Sequence, residues 1–287
     1  MTVYRHYDQA ALDAQYDNRA MAPNFADHLA AWKQGSEAAR RDLPHRTDLV
    51  YGPHSRERLD FYPAGPDAPF HLFIHGGYWR AMDKTDFAFP APAFVEAGIA
   101  YAALGYPLAP AVSFEDIQAS AIRALNWMVD HAAELSIDET RIVVSGHSAG
   151  GHLAATLRAD TFLGPRLRGT VAISGLYDLE SIRLSYLNAD LGLDAEAARR
   201  ASPIHMSPPR GRGVVLAVGG KESDEYHRQL ASYKKFLIAG GIAAEIDRSP
   251  GTGSFQHPPG AHPARESSVR CGRATREGMR PTAPNRR

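Results

Sequence analysis

The sequence predicts an α/β fold: a mostly parallel central sheet with helices on both faces and a helical cap at the N-terminus. Three observations carry that expectation. From about residue 47 onward, short β-rich apolar runs alternate with longer helical stretches, as crossover helices between parallel strands require. The apolar run RIVVS passes through a glycine-rich turn, Gly146-His147-Ser148-Ala149-Gly150-Gly151, directly into a helix-like stretch. The 287 residues, 44% apolar and 22% charged, suffice for one large core.

The elements follow in order. Residues 7–40 carry two helical patterns, one through Ala10, Leu12 and Tyr16 and one through Phe25, Leu29 and Trp32, joined at Pro23 and Asn24. Residues 1–46 therefore read as an N-terminal helical cap segment. Strands are expected at 48–51, 58–62, 71–75, 99–104, 141–145, 170–174, 214–218 and 244–247, from β-branched and aromatic runs bounded by turn residues. The clearest helices are 114–135, the stretch beginning at Ala149, and 224–239. No fixed-period repeat or linker interrupts 47–248, so this span is expected to be one domain.

Composition narrows the function classes. Lys plus Arg equals Asp plus Glu at 32 each, which leaves no net field for nucleic acid or an anionic membrane. No apolar run reaches the length of a membrane span, and the polar N-terminus does not read as a secretory signal, so a cytoplasmic location is expected. The single cysteine, Cys271, excludes an internal disulfide framework. The expected partner is a small-molecule substrate, with no nucleic acid and no membrane; the sequence allows a homodimer.

The chemistry concentrates at three places. A G-x-S-x-G turn between strand and helix lifts its serine onto a sharp elbow, which makes Ser148 the candidate nucleophile and the Ala149 amide an oxyanion donor. Upstream, the strand HLFIH ends in His75-Gly76-Gly77-Tyr78-Trp79, where side-chain-free Gly76 and Gly77 let backbone amides approach a substrate oxygen. Tyr78 and Trp79 beside them are candidates for substrate stacking. His71 and His75 lie four apart on one strand face, but no third ligand is in view for a metal. After VVLAV comes Gly219-Gly220-Lys221-Glu222-Ser223-Asp224-Glu225; Glu222 is favoured over Asp224 as the acid that orients a histidine, since Asp224 is placed to cap the next helix.

HGGYW, the later Tyr106-Pro107-Leu108-Ala109-Pro110, GHSAGG and GGKESDEYHRQ together resemble the α/β-hydrolase superfamily, near its hormone-sensitive-lipase group, and within it the kynurenine formamidases (arylformamidases). The resemblance covers roughly residues 10 to 248 and implies an α/β-hydrolase fold. It implies hydrolysis of N-formylkynurenine to kynurenine and formate in tryptophan breakdown, with no metal and no organic cofactor. Residue by residue, Ser148 matches the nucleophile, Glu222 the acid, which is more often Asp in the family, and Gly76, Gly77 and Ala149 the oxyanion amides. A carboxylesterase acting on short acyl esters would use the same machinery. A non-catalytic binding protein would keep the pocket and lose the base.

The family's histidine follows a Pro-Gly turn as Asp/Asn-His-Phe. Here the chain reads Pro250-Gly251-Thr252-Gly253-Ser254-Phe255-Gln256-His257, with Ser254 in the expected place. His257 is the candidate substitute base; the alternative is that His257 and His262 both belong to an unordered tail. Residues 249–287 hold seven Arg, no Lys, no Leu, no Ile and a single aromatic, too little apolar surface to order a segment. Such a tail is what a single-base insertion in a GC-rich gene yields. Synonymous codons for residues 253–263 exist from which deleting one G restores Asp-His-Phe-Ser-Thr-Leu-Gln-Ala-Leu-Thr, the missing motif followed by an amphipathic start. A frameshifted tail is therefore expected, and with it weak activity of the chain as written.

Overall fold

The structure is a computed structural model that describes residues 1–207 and 213–249. Eight strands form one sheet: β1 (Arg46–Val50), β2 (Arg58–Tyr62), β3 (Ala68–Ile74), β4 (Ala100–Leu104), β5 (Ile137–His147), β6 (Leu167–Ile173), β7 (Val214–Gly219) and β8 (Ala244–Ser249). Their order is β1-β2-β4-β3-β5-β6-β7-β8. The β1–β2 and β2–β4 pairs are antiparallel and the other pairs parallel. Each of the eight runs read from the sequence becomes a strand, so the fold class is borne out.

The central strands are buried on both faces, which is why they read as unbroken apolar runs: all five residues of β4 are buried. The larger core cluster joins Leu72, Ile74, Val144, Leu153 and Leu216 on one side; a second joins Trp32, Phe73, Phe87, Phe94 and Tyr101 on the other. Helix Ala149–Ala159 is buried along its whole length, so its small residues and Leu153 and Leu157 face protein on every side.

One expectation is corrected. The helix over 114–135 breaks at His131: Phe114–Asp130 ends there, and a short helix, Ala132–Leu135, follows. His131 departs from helical values at φ −103° and ψ 13°, with its ring Nδ1 2.8 Å from the Trp127 carbonyl oxygen. The N-terminal segment is helical, as expected. Helix Phe25–Asp42 contributes Trp32 and Ala39 to the second core cluster, whereas Gln9–Ala14 and Asn18–Met21 lie over the carboxyl ends of the strands.

Candidate active site

Parallel pairing brings the functional segments to one edge. Ile74 of β3 pairs with Gly146 of β5, and Ile173 of β6 with His147 of β5, so the loops after β3, β5 and β6 leave the sheet side by side. Ser148 follows β5 with φ 55° and ψ −117°, a strained conformation for a residue with a side chain. Its N–H is tied to the Ile173 carbonyl at 2.8 Å. The elbow closes tightly because Gly150 lacks a side chain: a Cβ there would lie 2.0 Å from the Ile74 carbonyl oxygen. Ser148 is only 4% exposed, yet it lines a cavity of about 880 Å³ together with Gly77, Tyr78, Pro110 and His147.

Gly76 packs against the elbow. A Cβ built on it would lie 3.2 Å from the Cβ of Ser148. The amides of Gly76 and Gly77 make no backbone hydrogen bond among the described residues, and Ala149 opens its helix, where an amide has no helical acceptor. Donors so placed beside a serine hydroxyl can hold an oxygen that gains negative charge, helped by the positive end of the buried helix.

The aromatic pair divides. Tyr78 lines the cavity, and its hydroxyl donates to the Tyr16 carbonyl at 2.9 Å. Trp79 does not: it is wholly buried, edge-on to Phe114 and His152 at 4.9 and 5.1 Å, and holds Ala109 through its carbonyl. Its expected stacking on substrate is replaced by a core role, because the turn after Gly77 sends consecutive side chains to opposite sides. His71 and His75 are also core residues. His71 lies 2.6 Å from the Ser145 hydroxyl, and His75 pairs its Nδ1 with the Gly76 carbonyl oxygen at 2.8 Å. Burial pushes His71 down to about 3 and His75 down to about 4, leaving both neutral.

Glu222 and Asp224 separate in the same way. Glu222 Oε1 accepts from the Gly219 N–H at 2.7 Å and from the Ser174 hydroxyl at 2.6 Å, which ties the carboxylate to the ends of β7 and β6. Asp224 is exposed on the first turn of helix Asp224–Ala239. The geometry therefore gives Glu222 the fixed position that an orienting acid needs.

Other lining residues were not singled out from the sequence. Arg80 is ion-paired with Asp190 and stands over the Tyr186 ring at 5.7 Å. An N-terminal strap, residues 8–21, roofs the cavity: Tyr16 donates to Ser181 at 2.6 Å, Tyr186 N–H to Asp13 at 2.8 Å, and Ser223 to the Gln15 carbonyl at 2.7 Å. Tyr16 had been legible only as part of an apolar stripe, and Tyr226 only as one letter of EYHRQ. No local spacing marks Tyr16 as a cavity residue.

A family model described as BD-FAE matches residues 59–162. The chain is 28% identical over 273 residues to kynurenine formamidase of Danio rerio, covering 89% of this chain and 92% of that one. It is also 28% identical over 204 residues to ethyl acetate hydrolase of Pseudomonas putida, covering 63% of each. A solved Silicibacter structure, provisionally assigned as a thioesterase, superposes with a TM-score of 0.77 at 31% identity, covering 85% of this chain and 92% of that one. The chain belongs to the α/β-hydrolase superfamily. It lies in the hormone-sensitive-lipase-like group, near the kynurenine formamidases, and is a hydrolase.

In this hydrolase the candidate nucleophile lines the cavity with Gly77, and Gly76 lies against it. His257 lies outside the described residues, as do His262, Cys271 and, beyond Ser249 at the end of β8, the frameshifted tail expected over 249–287. Among the described residues no group of three or more His, Cys, Asp or Glu converges as a metal site, and no helix is long and apolar enough to cross a membrane.

Proposed function

We propose that the chain is a formamidase acting through Ser148, converting N-formylkynurenine to kynurenine and formate in the breakdown of tryptophan. The observation that carries this reading is the strained elbow at Ser148, set against Gly76 on the wall of a cavity large enough for an aromatic substrate. Full-length similarity to the Danio rerio formamidase supports it. Ser148 Oγ attacks the formyl carbon while a histidine oriented by Glu222 takes its proton. The amides of Gly76, Gly77 and Ala149 hold the oxyanion. Collapse expels the aromatic amine, which receives that proton; water then cleaves the formyl ester, and formate leaves last. The histidine is His257 in the chain as written, or the one in the Asp-His-Phe motif that a single-base correction restores.

The similarity to ethyl acetate hydrolase favours a second reading, a carboxylesterase for short acyl esters. Steady-state rates on N-formylkynurenine and p-nitrophenyl acetate separate the two. A formamidase should prefer the formamide by roughly a hundredfold in kcat/KM, since its pocket would make contacts the ester cannot satisfy. A preference of similar size for the ester would transfer the assignment.

A further inference from the structure

The cavity that holds Ser148 is charged as well as apolar. Asp13, Asp17 and Arg19 line it from the N-terminal strap, and Arg80 and Asp190 from the segments after β3 and β6. The strap acids already serve the strap itself. Asp13 Oδ1 accepts the Tyr186 N–H at 2.8 Å and Gln9 Nε2 at 3.0 Å, and Asp17 Oδ1 accepts the Ala20 N–H at 3.1 Å. Arg80 and Asp190 differ: they pair with each other, and 31% and 38% of their side chains stay accessible.

The pair is held from both sides. Wholly buried Trp79 roots the turn after β3, and the Arg80 N–H closes that turn onto the Gly77 carbonyl at 3.1 Å. The guanidinium stands 5.7 Å over the ring of Tyr186, just ahead of the short helix Asn188–Leu191 that carries Asp190. Among the described residues the two side chains hydrogen-bond only through Arg80 Nη1 and Asp190 Oδ2. The guanidinium therefore keeps its Nε and Nη2 donors, in a planar fork that suits a carboxylate, and Asp190 keeps Oδ1 as an acceptor. Fixed positive and negative charges side by side complement a ligand whose own two charges are equally close. An α-amino acid is such a ligand, because its carboxylate and ammonium share one carbon. A neutral ester would desolvate both charges and pair with neither.

We propose that the Arg80–Asp190 ion pair receives the amino-acid head of the substrate, Arg80 taking the α-carboxylate and Asp190 the α-ammonium. The proposal rests on the formamidase reading and deepens it, since N-formylkynurenine carries that head at the end opposite its formamide. Holding the head at the pair leaves the formyl group to reach Ser148 in the same cavity. One turn sets both ends, because Arg80 bonds back to Gly77, a candidate oxyanion residue. Short acyl esters lack the head, so the pair is also what would separate a formamidase from an esterase.

The test is calorimetric titration of the 287-residue chain with three aryl ketones: kynurenine, kynuramine, which lacks the carboxylate, and 2-aminoacetophenone, which lacks both charged groups. Binding requires no turnover, so the place of the catalytic histidine does not affect it. Wild type should prefer kynurenine to kynuramine, and kynuramine to 2-aminoacetophenone, by about tenfold at each step, the worth of one partly exposed charged hydrogen bond. Arg80→Gln should abolish the first step. The double variant Arg80→Gln/Asp190→Asn, which leaves neither charge unpaired, should bind all three alike. A bridge with only a structural role would change the three affinities together. Equal wild-type affinity for kynurenine and 2-aminoacetophenone, no measurable kynurenine binding, or an undiminished preference in both variants would overturn the proposal. If the preference depends on the pair, yet a chain with Asp-His-Phe restored leaves N-formylkynurenine intact, the formamidase reading is what fails.

Discussion

Gly76 abuts Ser148: a Cβ added to the glycine would lie 3.2 Å from the serine Cβ and 2.9 Å from the His147 carbonyl oxygen. The two residues are far apart in sequence, and they meet because β3 and β5 are parallel neighbours that end in register. The contact leaves no room for a side chain where an attacking oxygen and an amide donor must converge.

Gly76→Ala should therefore lower turnover by about a hundredfold, the cost of displacing one oxyanion donor. Urea unfolding should show the chain still folded. Turnover within error of wild type would remove Gly76 from the oxyanion site.

Ser148→Ala should reduce hydrolysis and fluorophosphonate labelling to background. It should leave the elbow's backbone strain as it is, because alanine keeps the Cβ that φ 55° crowds. Differential scanning calorimetry should find the melting temperature equal to or above that of wild type; residual turnover at the wild-type rate would point to another nucleophile.

Glu222→Gln reports whether a working histidine exists. Members of a triad act as a unit, so removing the acid matters only if the base is present. In the chain as written the substitution should change turnover by less than about tenfold; in a chain with Asp-His-Phe restored it should cost about 10⁴. A 10⁴ loss in the chain as written would identify His257 as a functioning base.

Acid should destabilise the fold through its buried imidazoles. Unfolded, each histidine takes a proton as pH falls below 6.5, whereas burial holds folded His75 and His152 neutral down to about 4. The unfolded state binds more protons across that window, so stability is full above pH 6.5 and declines as pH falls towards 4, at up to about 1.4 kcal/mol per pH unit for each histidine. Urea midpoints measured between these limits should drop steadily; a flat profile would show the histidines to be reachable by protons in the native state.

Nucleotide sequencing across codons 245–290 should reveal one base whose removal near codon 253 restores Asp-His-Phe and an apolar helix. If no single-base change does so, the C-terminal segment is encoded as written and turnover must depend on His257.

The elbow was legible because it is local: strand, glycines, serine and helix occupy consecutive positions, and the steric demand at Gly150 arises between elements adjacent in the fold. The candidate acid was legible for the same reason, since Glu222 closes a turn onto Gly219, three residues away. Trp79 was misread because a single turn decides whether a ring faces cavity or core, and neighbouring letters do not encode that turn's geometry. The Arg80–Asp190 pair was invisible, because the two residues lie on segments after β3 and β6 that meet only at the sheet edge.

The sequence by itself determined the eight strands, their crossover helices and the serine elbow, because periodicity and glycine placement act over a few residues. Only the tertiary structure decided which groups surround the Ser148 hydroxyl. Strand register and packing set those distances, and they join segments whose separation along the chain carries no signal of contact.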